Sequence, residues 1–158
     1  MNLNETLLPK LAEWRPADRQ TLQANPEGSP WQIFVTVDSG DAYSCRVWEM
    51  TLRRTGAGEP INLKGWADSV AKRATGLLEP LHLVEIDEPR QEALVRSSEP
   101  SRRAIQLAYY EAILKATGEA TLRRFRSSQD GSTRREQVPF MLTHEVLAKV
   151  ADDLVPPA

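Results

Sequence analysis

The chain has 158 residues, 41% of them apolar and 27% charged, with a formal net charge of −2. That balance excludes extensive disorder, and the length suits one domain that buries a core without disulfide or metal staples. The single cysteine, Cys45, rules out a disulfide framework within the chain.

The start of the chain lacks a basic stretch followed by an apolar core, and no run approaches the roughly 18 apolar residues of a membrane helix. The expectation is a cytoplasmic protein with no membrane partner. Residues 3–14 place Leu3, Leu7, Leu8, Leu11 and Trp14 at helical spacing, with Asn4 as a possible cap and Pro16 past the end. Residues 15–30, with Pro16, Pro26, Gly28 and Pro30, read as an irregular connector.

From Trp31 to Val37 the residues alternate. Trp31, Ile33, Val35 and Val37 share one face, and Gln32, Phe34 and Thr36 the other. A turn at 38–41 and a return strand over 43–54 complete a hairpin. Tyr43, Cys45 and Val47 have one parity and Trp48, Met50 and Leu52 the other, so a bulge near Val47 is required to keep one face buried. Asn62 caps a helix over 62–77 whose stripe is Leu63, Trp66, Val70, Ala74 and Leu77, with Gly76 and Pro80 at the exit.

Strands follow over 81–87 and 91–97 around the turn at Glu88-Pro89-Arg90. Residues 101–116 are compatible with a helix or a strand. Alanine content favours helix, whereas the strand-like run 121–126 needs an antiparallel neighbour. The expectation is a long hairpin turning at Thr117-Gly118-Glu119, with Leu107, Tyr109 and Ile113 facing the core and Tyr110 on the other side. Another turn at Asp130-Gly131 leads to a strand over 133–140, and Thr143 caps a last helix over 143–154. The fold expected is therefore α+β: an antiparallel sheet of about six or seven strands with N-terminal, central and C-terminal helices, in one domain over 1–158. Thr-Leu-Arg-Arg occurs at 51 and at 121, a faint sign of a duplicated hairpin-and-helix unit.

Motifs of catalysis are missing. The glycines form no phosphate loop, and no serine sits in a nucleophile elbow. His82 and His144, the two histidines, have no metal-ligand spacing around them; His82 reads as a core-edge residue and His144 as part of a helix start. Cys45 lacks a thiolate-stabilising neighbour on its own strand face. Glu85 and Asp87 share a strand face that would suit a hard cation, but a solvated hairpin tip explains them as well. No catalytic residue, metal or cofactor is expected.

Of the 20 basic residues, 15 are arginine, a bias that a GC-rich genome explains. Seven of them gather with aromatics in the second half. Arg123, Arg124 and Arg126 precede a turn, Arg134 and Arg135 follow it, and Arg102 and Arg103 open the preceding strand. Together with Tyr110 they form the candidate interaction surface. Arginines among aromatics on a sheet suit single-stranded nucleic acid. They equally suit a solvated or protein-contacting face balanced by Glu111, Glu119 and Glu136. The net acidic charge favours the second. Trp14, Trp31, Trp48 and Trp66 are expected to pack between the first hairpin and the two early helices. The functional expectation is a non-enzymatic binding or adaptor domain that contacts another protein through a sheet face or edge. Nucleic-acid binding through 121–135 is the alternative, and an enzyme with a dispersed site the third reading; oligomeric state is left open.

Overall fold

A computed structural model describes residues 2–132 and 134–157. Its elements are α1 (Leu3–Glu13), β1 (Gln20–Ala24), β2 (Trp31–Gly40), β3 (Ser44–Arg54), α2 (Leu63–Arg73), β4 (Leu81–Asp87), β5 (Glu92–Ser97), β6 (Ser101–Arg103), β7 (Gln106–Lys115), β8 (Glu119–Ser128), β9 (Glu136–Val138), β10 (Phe140–Thr143) and α3 (His144–Asp153). The strands form one antiparallel sheet in the order β1–β2–β3–β8–β7–β5–β4, with β10 on β3, β6 on β7 and β9 on β8. The α+β architecture is the expected one.

Each helix starts on a short polar side chain that accepts an otherwise unpaired backbone N–H. Asn62 accepts from Gly65 at 3.0 Å and Thr143 from Val146 at 3.2 Å. For α1 the cap is Asn2, which accepts from Glu5 at 2.8 Å, rather than Asn4. Trp66 and Val70 of α2 and Leu147 and Val150 of α3 are buried beneath one face of the sheet, and Leu7 and Leu11 of α1 are buried where α1 packs on α3 and β1. That face carries Ile33, Val35, Val37, Val95, Tyr110, Ala112, Leu114, Ala120 and Leu122. Burial alternates along β5, β7 and β8, so the helices cover only one side. The indole N–H of Trp66 donates to the Leu154 carbonyl at 2.7 Å, tying α2 to the end of α3.

The bulge required by the parity of β3 is present. Thr36 pairs with Glu49 and Val37 with Val47, leaving Trp48 as the extra residue. Cys45 and Val47 before it, and Met50 and Leu52 after it, are all buried. The hairpin β7–β8 also forms, in register from Gln106–Ser128 to Lys115–Glu119, and Gly118 turns it at φ +107°. A Cβ there would lie 2.8 Å from Cβ of Arg54, so both the backbone angle and the space demand glycine.

Several expectations are corrected. Among the described residues the sheet has ten strands rather than six or seven. The extra ones come from short pairings with little apolar alternation. β1 lies inside the supposed connector 15–30, paired from Gln20–Val37 to Ala24–Ile33. The strand expected over 133–140 is two strands broken at Pro139, which has no N–H to donate; Thr133, its expected start, lies outside the described residues. β9 runs along β8 and β10 along β3. This strap fills the gap where β3 and β8 diverge after pairing only over Met50–Arg53 and Glu119–Leu122.

The helix expected over 62–77 ends at Arg73, and the following residues leave it to carry Glu79 into the interior. In β7 the faces are the reverse of those expected. Tyr110, Ala112 and Leu114 meet the helices, whereas Leu107, Tyr109 and Ile113 lie on the uncovered side. Small alanines leave room for the helix layer, and the uncovered aromatics are shielded by arginines instead. Of the tryptophans, Trp66 is buried and Trp31 packs on it at 6.3 Å, with Trp14 at the core margin. Trp48, displaced by the bulge, stands outside that cluster. His82 is exposed rather than at the core edge, because it alternates with the inward Leu81 and Leu83; a register shift at Val84 then lets Ile86, of the opposite parity, turn inward as well.

Candidate functional site

With the helices on one side, the other side of the sheet has no covering layer. Its centre is a row across five strands: Phe34 beside Thr51, Thr51 beside Thr121, Thr121 beside Ile113 and Ile113 beside Leu94. Thr51 and Thr121 begin the two Thr-Leu-Arg-Arg segments, which therefore meet at the middle of the sheet. Glu85 ends the row at the β4 edge.

Charged rows flank this one, in which Phe34, Ile113 and Leu94 are half-buried and Thr51 is buried. On one side Arg123 binds Glu49 at 2.6 Å, and Glu111 receives both Arg96 at 2.9 Å and Arg135 at 2.7 Å. On the other side Glu119 receives Arg53 at 3.1 Å and Lys115 at 3.4 Å. Several of the same guanidinium groups lie over half-buried rings of this face. Arg135 stacks over Phe125 at 4.0 Å, Arg96 over Tyr109 at 5.3 Å and Arg53 over Phe34 at 5.1 Å. Arg19, itself held by Asp38, covers Trp48 at 4.0 Å. Each arginine is thus fixed by a carboxylate and lidded on a ring, which shields apolar surface and limits side-chain motion. Two shallow depressions, of about 270 and 400 Å³, lie on this face and meet at Glu92 and Ile113.

The structure divides the eight residues of the candidate surface among three places. Arg123 and Arg135 belong to the uncovered face. Arg102, Arg103, Arg126 and Arg134 lie at the end of the sheet where β6, β7, β8 and β9 meet. Arg124 and Tyr110 are interior, 6% and 1% exposed. Arg124 makes a two-pronged ion pair with Glu79 at 2.9 and 3.0 Å and lies 4.2 Å over the Tyr110 ring. Ser97 and Ser101 also donate to Glu79, at 2.8 and 2.6 Å. Burial pushes the Glu79 carboxyl up, but the hydrogen bonds from Arg124, Ser101 and Ser97 and the Arg124 charge outweigh it, leaving the group below its ordinary value.

The expected balancing acids do pair: Glu111 and Glu119 as above, and Glu136 with Arg126. Phe34 was separable from its strand's buried residues by alternation alone. Leu94, Arg19 and Trp48 carried no signal of sharing its face, because that depends on strand order and on the bulge. Cys45 is buried, and burial, then the charge of Asp41, pushes its thiol up to about 11, so it stays protonated near neutrality. Glu85 and Asp87 stand at the rim of one depression together with Arg90. Among the described residues no group of histidine, cysteine, aspartate and glutamate is arranged to hold a metal ion, and no helix is long and apolar enough to cross a membrane. No family model, curated protein or solved structure matches this chain.

Proposed function

We propose that the chain is a binding or adaptor domain that docks another protein on the uncovered sheet face. The observation that carries this reading is the row Phe34–Thr51–Thr121–Ile113–Leu94, bordered on both sides by charges already held in place. A centre that holds Phe34, Ile113 and Leu94 within a polar rim resembles the usual anatomy of a protein interface, and arginine and aromatic residues are enriched in the strongest contacts of such interfaces. Side chains fixed before binding lose little freedom on docking, which favours association.

The rival readings have less support. Arg123, Arg124, Arg126 and Arg135 are each engaged by a carboxylate, which leaves little of the 121–135 segment for a phosphate backbone. The carboxyls shifted from their ordinary values, Asp41, Glu79, Asp130 and Asp152, sit in four separate parts of the chain, and none is among the causes of another's shift. A dispersed catalytic site would bring such groups together.

The test compares proteins captured from extracts of the source cells by the parent, by Leu94→Lys and Ile113→Glu, and by Lys72→Glu on the exposed side of α2. The two face variants are expected to lose a partner that Lys72→Glu retains, with all four proteins melting alike. A partner retained equally by every variant, or lost only by Lys72→Glu, overturns the reading.

A further inference from the structure

We infer that the arginines at the β6–β9 end of the sheet form a second, separate site that binds a ligand carrying two or more linked phosphate groups. Arg102, Arg103 and Arg126 line a cleft of about 390 Å³ with Ser101 and Gln106. Arg126 and Gln106 also line an adjoining cleft of about 350 Å³ with Arg134, Arg135 and Glu136. Five arginines face the pair of clefts, and Glu136 is the only carboxylate in either lining.

Three of these arginines are uncompensated. Arg126 is held by Glu136 and Arg135 by Glu111, whereas Arg102, Arg103 and Arg134 have no carboxylate partner among the described residues. Elsewhere on the sheet, Arg53, Arg96, Arg123 and Arg124 are paired and Arg54 is held by backbone carbonyls, while Arg46 has no carboxylate partner among the described residues. In a chain of net charge −2, an unneutralised group of like charges is a local feature and not a consequence of overall basicity. A two-residue connection joins Arg103 to Gln106, with Ala104 at φ 57° as such tight hairpin turns require, and it holds β6 against β7 beside Arg126.

The chemistry of the ligand follows from the donors. Guanidinium groups match phosphate oxygens with paired N–H donors; the arginines without a carboxylate stand in both clefts, Arg102 and Arg103 in one and Arg134 in the other, so linked phosphates can span the two. The geometry fits a compact oligophosphate better than a nucleic-acid strand. The nearest rings on the sheet, Tyr109 and Phe125, are already covered by Arg96 and Arg135, so no open ring face remains on which a base could stack.

The experiment is titration of the whole chain with inorganic tripolyphosphate, followed by calorimetry and by amide chemical shifts. Shifts are expected in 101–108, 126–128 and 134–137, with affinity falling as salt is raised from about 50 to about 200 mM. Arg102→Gln/Arg103→Gln/Arg134→Gln should weaken binding by at least about tenfold, and Lys72→Gln should leave it unchanged. The paired arginines and the core are untouched in the triple variant, and its melting curve serves as the folding control. ATP binding more tightly than tripolyphosphate assigns the site to nucleotides; equal binding assigns it to inorganic oligophosphate. Absence of binding at millimolar ligand, unchanged affinity in the triple variant, or tighter binding of a short single-stranded oligonucleotide than of tripolyphosphate overturns the inference. The triple variant leaves the row from Phe34 to Leu94 intact, so this result and that of protein docking are read independently.

Discussion

Among the described residues, the Glu79 carboxylate accepts more hydrogen bonds than any other side chain. It takes two donors from Arg124 and one each from Ser97 and Ser101, while Ser97 itself accepts from the Tyr110 backbone N–H at 2.8 Å. A buried ion pair stripped of one partner costs about 3–5 kcal/mol, because the other charge is left unpaired in a poor solvent. Glu79→Gln is therefore expected to lower stability by about that amount in chemical denaturation, and adding Arg124→Met should recover part of the loss. A Glu79→Gln variant as stable as the parent would show that Arg124 is satisfied by the Tyr110 ring and water alone. The pH dependence has a definite sign. The folded carboxyl lies below its ordinary value of 4.5, so its contribution is complete above that pH and is lost as pH falls through the folded value. The acid limb of the parent's stability curve below about pH 4.5 should accordingly be flatter in Glu79→Gln. None of this was legible in the sequence. Glu79 stands next to Pro80 at a helix exit, and its partner lies 45 positions away; no local pattern links them.

At the scale of elements, legibility followed apolar periodicity. α2 was readable because Leu63, Trp66 and Val70 repeat at helical spacing after an Asn cap, and they are the residues buried. Val70 is fully buried, so Val70→Asp places a charge without a partner in the core. The expected cost is several kcal/mol, read as a large fall in melting temperature; an unchanged melting temperature would mean that α2 is not part of the cooperative core. The bulge at Trp48 was readable for a related reason, since two runs of opposite parity in one strand can share a buried face only across an extra residue. β1 was not, because only Ala24 of its five residues is buried. An edge strand of that kind gains its order from backbone pairing with β2, which leaves no mark on composition. The facing of β7 was misjudged because its bulkiest aliphatic and aromatic residues suggested burial, whereas Leu107, Tyr109 and Ile113 belong to a face sheltered by arginine and charge.

The whole molecule is two half-sheets joined at a narrow centre. β1, β2, β3 and β10 make one half, and β8, β7, β5, β4 with β6 and β9 the other, meeting through the short ladder of Met50–Arg53 with Glu119–Leu122. The helices interlock the halves. α2 follows β3 in sequence but packs on β4, β5 and β7, while α3 directly follows β10 and packs on α1, β3 and β10. The second half-sheet thus depends on a helix whose chain enters from the first, and the strap over 136–143, shared between the halves, carries the chain from the second back to the first. Strand order and these crossings rest on pairings between distant residues, which is why the sequence yielded the class of fold but not its topology. Such interdependence predicts a single cooperative unfolding transition despite the narrow junction. The distribution of tryptophan supplies the measurement: Trp14, Trp31, Trp48 and Trp66 all precede residue 67, so fluorescence reports the first half and α2, while far-ultraviolet circular dichroism reports the whole chain. The two probes are expected to give superimposable denaturation curves, with a calorimetric enthalpy equal to the van't Hoff value. A fluorescence transition displaced from the dichroism transition would show that the four-residue ladder, and not the crossed helices, sets the coupling between the halves.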